Sequence, residues 1–272
     1  MSALTIARKE FEDALRSRAF VGVTMLLAIV LVILLYFQLY VDRSARLSAL
    51  WLPSSIGPWL TEQLLFLIPV VGTLLGYKSI VGERESGSLK LLLTLPHSRR
   101  DVILGKFLGR AMVMVCSVFL AFFVVGVQFA ASSELFSITV YATAAVKTAL
   151  VGVTFVAIAI AFSTTLRSSL LAMWGAFGLM VLFVFLWDSV LTLVKSFLEP
   201  ASNDSVGISE LPEWFYLLKR FNPRHAFADV TPPLYDGSAF YLEPWFSVVI
   251  LVVWLVVPLG IAYLHFERSD LA

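Results

Sequence analysis

The chain has 272 residues, 59% of them hydrophobic and 14% charged, with a formal net charge of +1. Its charged share is about half that of an ordinary soluble domain, so one soluble core cannot hide the apolar side chains and a bilayer is the solvent they require. The small net charge gives no footing for nucleic-acid binding, which draws on a clear basic excess, and the lone cysteine, Cys116, excludes an intrachain disulfide.

Residues 1–18 place Leu4, Ala7, Phe11, Ala14 and Leu15 on one helical face and Arg8, Lys9, Glu12, Asp13 and Arg16 on the other. Lys9 with Asp13 and Glu12 with Arg16 have i,i+4 spacing. The pattern predicts an amphipathic helix on the inner membrane surface, its apolar face among the headgroups. A first span follows over residues 19–40. Its apolar run is longer than the roughly 7–15 residues of a signal-peptide core, and no small-x-small cleavage site follows it, so it is read as retained. Further spans over 60–80, 102–130, 142–162, 170–187 and 245–264 make six and predict an all-α polytopic membrane protein. Pro69 and Pro258 fall inside two of them as tolerable kinks.

With six spans, both termini and the second and fourth connections share one side. That side holds most of the 20 Lys and Arg, among them Arg8, Lys9, Arg16, Arg18, Lys78, Arg84, Lys90, Arg99, Arg100, Lys106 and Arg110. Basic residues are retained on the cytoplasmic face, so both termini are expected there. Residues 188–244 then form the one long extracytoplasmic segment. Within it, 189–198 and 212–221 carry helical spacing around a turn-rich stretch at 200–207, which predicts two short helices resting on the outer rim.

Catalysis at depth requires converging reactive groups, and the spans offer few. His97, His225 and His265 lie near or outside membrane ends without metal-ligand spacing. Glu62, Lys147 and Asp188 stand close to outer ends, where water reaches them. Gln63 and Gln128 fit either interhelical hydrogen bonding or contact with a transported molecule. The stretch from Gly82 to Ser88 has P-loop glycine spacing without the lysine. No enzyme activity, metal or cofactor is therefore expected, and any ATP would be bound by a separate subunit. Gly72 with Gly76, and Gly105 with Gly109, read as sites of close helix approach.

The most informative segment is 82–106, GERESGSLKLLLTLPHSRRDVILGK. Gly87 permits a sharp entry, Leu89, Leu92 and Leu93 share a helical face, and Pro96 ends that turn. Ser98 with Asp101 then opens the third span as a capping box. The ordered series of Glu83, Arg84, Glu85, Gly87, Ser88, Leu89, a leucine run, Pro96, Arg99, Arg100, Gly105 and Lys106 resembles permease subunits of the type-2 ABC exporter family, including the branch of the nitrous-oxide reductase maturation permease. The amphipathic first helix and the Asn222-Pro223 step extend the resemblance over most of the chain.

The resemblance implies a single transmembrane permease domain over 1–272, with a cytoplasmic helix at 1–18, a cytoplasmic coupling loop at 81–101 and the extracytoplasmic segment at 188–244. It further implies a plasma-membrane exporter that pairs with a second permease, as a homo- or heterodimer, and takes its energy from cytosolic ABC ATPase subunits. By the same analogy Glu83, Arg84 and Glu85 make polar contacts to the ATPase. Leu89, Leu92 and Leu93 seat in its groove or under the bundle, and Arg99 and Arg100 lie at the headgroups, as contacts or as topology anchors. A membrane-embedded enzyme and a non-transporting assembly factor are the alternatives; a co-purifying P-loop ATPase separates the transporter from both.

Overall fold

The computed structural model describes residues 3–36, 52–89, 98–132, 137–198, 212–228, 240 and 243–268, and among them it is built of helices with no sheet. Helix α1 (Ala3–Arg16) and helix α2 (Arg18–Tyr36) meet at a 66° bend. Ser17 makes the break: its hydroxyl donates to the Ala14 carbonyl at 2.6 Å and accepts the Phe20 amide at 3.4 Å, ending one helix and starting the next. Helix α3 (Leu52–Gly76) leads through a turn into the short α4 (Val81–Glu85), and α5 (Arg99–Ser132) and α6 (Ile138–Thr165) follow as long apolar rods. The next rod begins as α7 (Ser169–Val181), passes through one π-helical turn (Leu182–Leu186), and continues as α8 (Trp187–Leu198). Short helices α9 (Glu213–Phe221) and α10 (Pro223–Ala228) precede α11 (Pro244–Arg268). Among the described residues five helices are long and apolar enough to cross a membrane, six when the bent α1–α2 pair is counted, so the molecule is an all-α polytopic membrane protein.

Helix α6 is the central post, packed on α3, α5, α7 and α11. Its Val151, Phe155, Val156, Ala157 and Ile160 are fully buried. Glycines set the closest approach: a Cβ on Gly72 would stand 2.6 Å from the Gly152 carbonyl, and one on Gly76 2.6 Å from the Ala159 Cβ. The α6 threonines Thr148, Thr154, Thr164 and Thr165 donate to carbonyls one turn back, so their hydroxyls are satisfied where water is absent. Outward residues such as Phe123, Val127, Val252 and Val256 are exposed, as hydrocarbon contact requires.

Pro69 and Pro258 lie inside α3 and α11 as expected. The outer segment differs from expectation. Residues 189–198 are no separate rim helix but prolong the rod that starts at Ser169. The π turn carries the chain past Asp188 without a break, and a hydrophobicity pattern does not register it. The α9–α10 pair packs against this rod and against α11. The Asn222 amide donates to the Phe183 carbonyl at 2.6 Å and the Trp254 indole to the Phe221 carbonyl at 2.7 Å. The pair is wedged beside the rod, and the stretch 200–207 lies outside the described residues.

The wedge exploits the π turn. A π turn leaves carbonyls without their usual i+4 amide, and two are taken up at the α9–α10 junction: Phe183 by Asn222, and Val184 by Arg224 at 3.2 Å. Asp188 adds an ion pair to Arg224 at 3.3 Å and a contact to His225 at 2.8 Å. Asn222 is fully buried and its carbonyl oxygen also accepts the Arg224 amide at 2.8 Å, which starts α10.

Candidate coupling site

The turn after α3 is anchored by a single hydroxyl. The Ile80 and Val81 amides, orphaned at the start of α4, both donate to Ser163 Oγ on α6, at 3.0 and 3.1 Å. Helix α4 carries the acidic–basic–acidic triplet, and the structure gives each member a partner within the chain. The Arg84 guanidinium donates to the carbonyls of Thr164 and Leu166 at 3.3 Å each, closing the last turn of α6. Glu85 accepts from the Ser169 amide at 2.6 Å and from the Ser169 hydroxyl, placing a carboxylate at the first turn of α7, where the helix dipole favours it. Gly87 follows at φ 76°, a conformation that an L side chain resists, and Leu89 returns into the core at 2% exposure. Lys90, Leu92, Leu93, Pro96 and His97 lie outside the described residues.

Glu83 reaches the opposite way, to Lys106 on α5. The Lys106 ammonium lies 2.7 Å from Glu83 Oε1 and 2.7 Å from Glu10 Oε1 of α1, with the lysine side chain only 1% exposed. Arg110, one turn along α5, pairs with the other Glu10 oxygen at 3.2 Å. Two cations and two carboxylates neutralise one another, which is the condition for burying charge at all. Three elements thus meet on one lysine: α1, the elbow at α4, and the start of α5.

Close packing makes this possible. A Cβ on Gly105 would stand 2.6 Å from the Ile6 Cβ, and one on Gly109 2.5 Å from the Glu10 Cβ. Helix α1 therefore lies directly on α5, burying Ile6, Ala7 and Ala14 against it and leaving Leu4 and Leu15 exposed. Its apolar face is divided between the protein and the outside, where sequence alone assigned it all to headgroups. Glu12 pairs with Arg8 at 2.7 Å, one turn before it, where the sequence pattern had paired it with Arg16, one turn after it.

Helix α5 opens with the expected capping box: the Asp101 amide donates to Ser98 Oγ at 3.1 Å and the Ser98 amide to Asp101 Oδ2 at 3.3 Å. Arg99 donates to the carbonyls of Phe266 and Glu267, a cation on the C-terminal end of α11. Arg100 is exposed. Glu83, Arg84, Glu85, Leu89, Arg99, Gly105 and Lys106 are thereby gathered at one end of the bundle. Sequence reasoning missed Glu10 and Ser163. Glu10 did leave a signal, since it is the one carboxylate in the α1 arc between Ile6 and Ala14, one turn from each. Among the described residues, no three His, Cys, Asp or Glu side chains come together as a metal site.

Residues 4–271 match the family described as "ABC-2 family transporter protein". A protein of Stutzerimonas stutzeri described as "Probable ABC transporter permease protein NosY" is 30% identical over 278 aligned positions, covering 97% of each chain. A protein of Pseudomonas aeruginosa with the same description is 30% identical over 249 positions, covering 86% of this chain and 83% of its own.

Proposed function

This chain belongs to the ABC-2 transporter family as a permease subunit that is not itself an enzyme, and from that premise we propose that its elbow receives the motion of a nucleotide-driven partner. Membership implies a cytosolic ATPase partner and a membrane setting. In our reading the protein is an exporter of the plasma membrane with both termini and the 81–101 loop in the cytoplasm, and it works beside a second permease. The four exposed or core residues of the elbow, Glu85, Gly87, Leu89 and Arg100, present and shape the docking surface, together with Leu92, Leu93 and Pro96. Glu83, Arg84 and Lys106 bind that surface to the bundle.

The observation that carries this reading is the buried Lys106, held at 2.7 Å by both Glu10 and Glu83. Helix α1 and the elbow are the two elements by which the ATPase is proposed to grip the permease, and Lys106 makes them one body with α5. A push on either is then felt by a membrane-crossing helix. ATP drives transport only if the two arrangements it selects differ in affinity for cargo, so a rigid link between the grip and the spans is a physical requirement.

Affinity purification of the tagged chain in mild detergent is expected to recover a P-loop ATPase. Charge reversal at exposed Arg100 combined with Glu85→Ala should lower that recovery severalfold while membrane insertion is unchanged. Undiminished recovery, or an elbow tag reachable only from the extracytoplasmic side, would overturn the assignment.

A further inference from the structure

Between α6, α7 and α11 lies a cavity of about 360 Å³, within the roughly 300–1,000 Å³ of small-molecule sites. Ile158, Phe162 and Thr165 of α6, Leu179 of α7, and Trp254 and Pro258 of α11 form its walls. Their few polar atoms are already engaged: the Thr165 hydroxyl donates to the Ala161 carbonyl at 2.9 Å and the Trp254 indole to the Phe221 carbonyl at 2.7 Å. Water needs two to four polar partners to reside in such a space, and these walls offer none.

The cavity opens sideways. Val257 and Ile261 also line it, and they are 49% and 52% exposed on the outer face of α11. Its α6 wall occupies the last two turns before Thr165, so it lies in the half of the bilayer nearer the elbow. At that end stands Arg167, exposed and without a partner among the described residues. It is two residues beyond Thr165, hence within about 7–8 Å of it between Cα atoms. His265, also exposed, lies one turn beyond Ile261 on the same α11 face. An apolar slot therefore ends beside a cation at the depth of the headgroups.

We propose that this cavity binds one glycerophospholipid from the leaflet on the elbow side, with an acyl chain in the slot and the phosphodiester at Arg167. A flexible chain enters between α6 and α11. A helix of a second copy, about 10–12 Å across with its side chains, covers the mouth without filling the slot. The site would wedge a lipid beside Pro258, the point at which α11 lacks a backbone donor.

The test uses the full chain in vesicles doped with a phosphatidylglycerol carrying a photoreactive group on one chain, with adducts mapped by mass spectrometry. Labelling of Phe162, Trp254 and Pro258 should exceed severalfold that of Leu171 and Trp174, which are exposed to hydrocarbon on the same half of α7. Ala161 also lines the cavity, so Ala161→Phe fills the slot and should bring cavity labelling down to the Trp174 level. Arg167→Gln alters an exposed side chain outside the packed core and should lower cavity labelling roughly threefold, the size of one exposed charge contact. It should leave Trp174 labelling unchanged and have no effect on a diacylglycerol probe that lacks phosphate. Cavity labelling no higher than at Trp174, or indifferent to both variants, overturns the proposal. So does efficient disulfide pairing of Val257→Cys between two chains, which would assign the mouth to a second copy.

Discussion

Replacing Lys106 by Met keeps the bulk of the side chain and removes only its charge. The Lys106 side chain is 1% exposed, and its ammonium holds Glu10 and Glu83 at 2.7 Å each. Without it, Glu10 retains Arg110 at 3.2 Å while Glu83 loses its ion pair. Removing one member of a buried pair costs about 3–5 kcal/mol. The surviving Arg110 contact to Glu10 places the loss near the lower bound. About 3 kcal/mol in a chain of this size lowers the unfolding midpoint by about 6–12 °C. The chain's 7 tryptophans allow the midpoint to be followed by intrinsic fluorescence in detergent. Lys106→Met with Glu83→Gln is the decisive control, because it leaves the Glu10–Arg110 pair intact and nothing charged alone. It should recover all but about 1 kcal/mol of the loss, since a neutral replacement of buried charge is often close to neutral in stability. A single variant as stable as wild type, or a double variant no better than the single, would refute the idea that charge pairing holds this junction together.

Gly109→Ala would drive a Cβ to 2.5 Å from the Glu10 Cβ and 3.1 Å from the Ala7 carbonyl, and should cost about 1–3 kcal/mol by the same melting assay, whereas Gly260→Ala, with nothing within 4 Å, should leave the midpoint in place. Ser163→Ala strips the shared acceptor from the Ile80 and Val81 amides; a loss of about 1–3 kcal/mol for each buried donor left bare is expected, and hydrogen exchange at those two amides should accelerate. Burial lowers the His225 pKa below its ordinary value of about 6.5, outweighing the raising influence of Asp188. The folded imidazole thus stays neutral where the unfolded one takes a proton, so stability should be constant above that value and fall as pH drops through it. His225→Asn should flatten the slope, and a wild type more stable at pH 5.5 than at pH 7 would show the Asp188 attraction to dominate.

The parts of this molecule that were legible in sequence are those fixed by local chemistry. Six runs of apolar residues announce spans because hydrocarbon admits little else, Ser98 and Asp101 announce a helix start three residues apart, and Gly87 announces a turn that the structure places at φ 76°. The glycine pairs announced close contact correctly but not with whom. What escaped is non-local or is a departure from regular geometry. Glu10 and Lys106 are 96 residues apart, and no pattern within either helix names the other. The resemblance assigned Glu83, Arg84 and Glu85 to contacts with an ATPase, and no local pattern announced the partners that each also has on α5, α6 or α7. The π turn hid the continuation of the fifth rod, and with it the reason for Asn222 and Arg224.

Two side-chain anchors act at opposite ends of one rod. Glu85 holds the first turn of α7 to the elbow, and Asn222 with Arg224 holds the π turn to the α9–α10 wedge. Between them lies an unbroken apolar helix whose backbone bonds are internal, so axial displacement at one end has no soft joint to absorb it until the π turn is reached. There, one extra residue per turn loosens the register, and side chains rather than backbone amides hold the freed carbonyls. A helix that is stiff near the elbow and adjustable near the wedge is suited to carry motion across a membrane and change packing on the far side. The buried Asn222 serves both the wedge and its latch through its two side-chain hydrogen bonds.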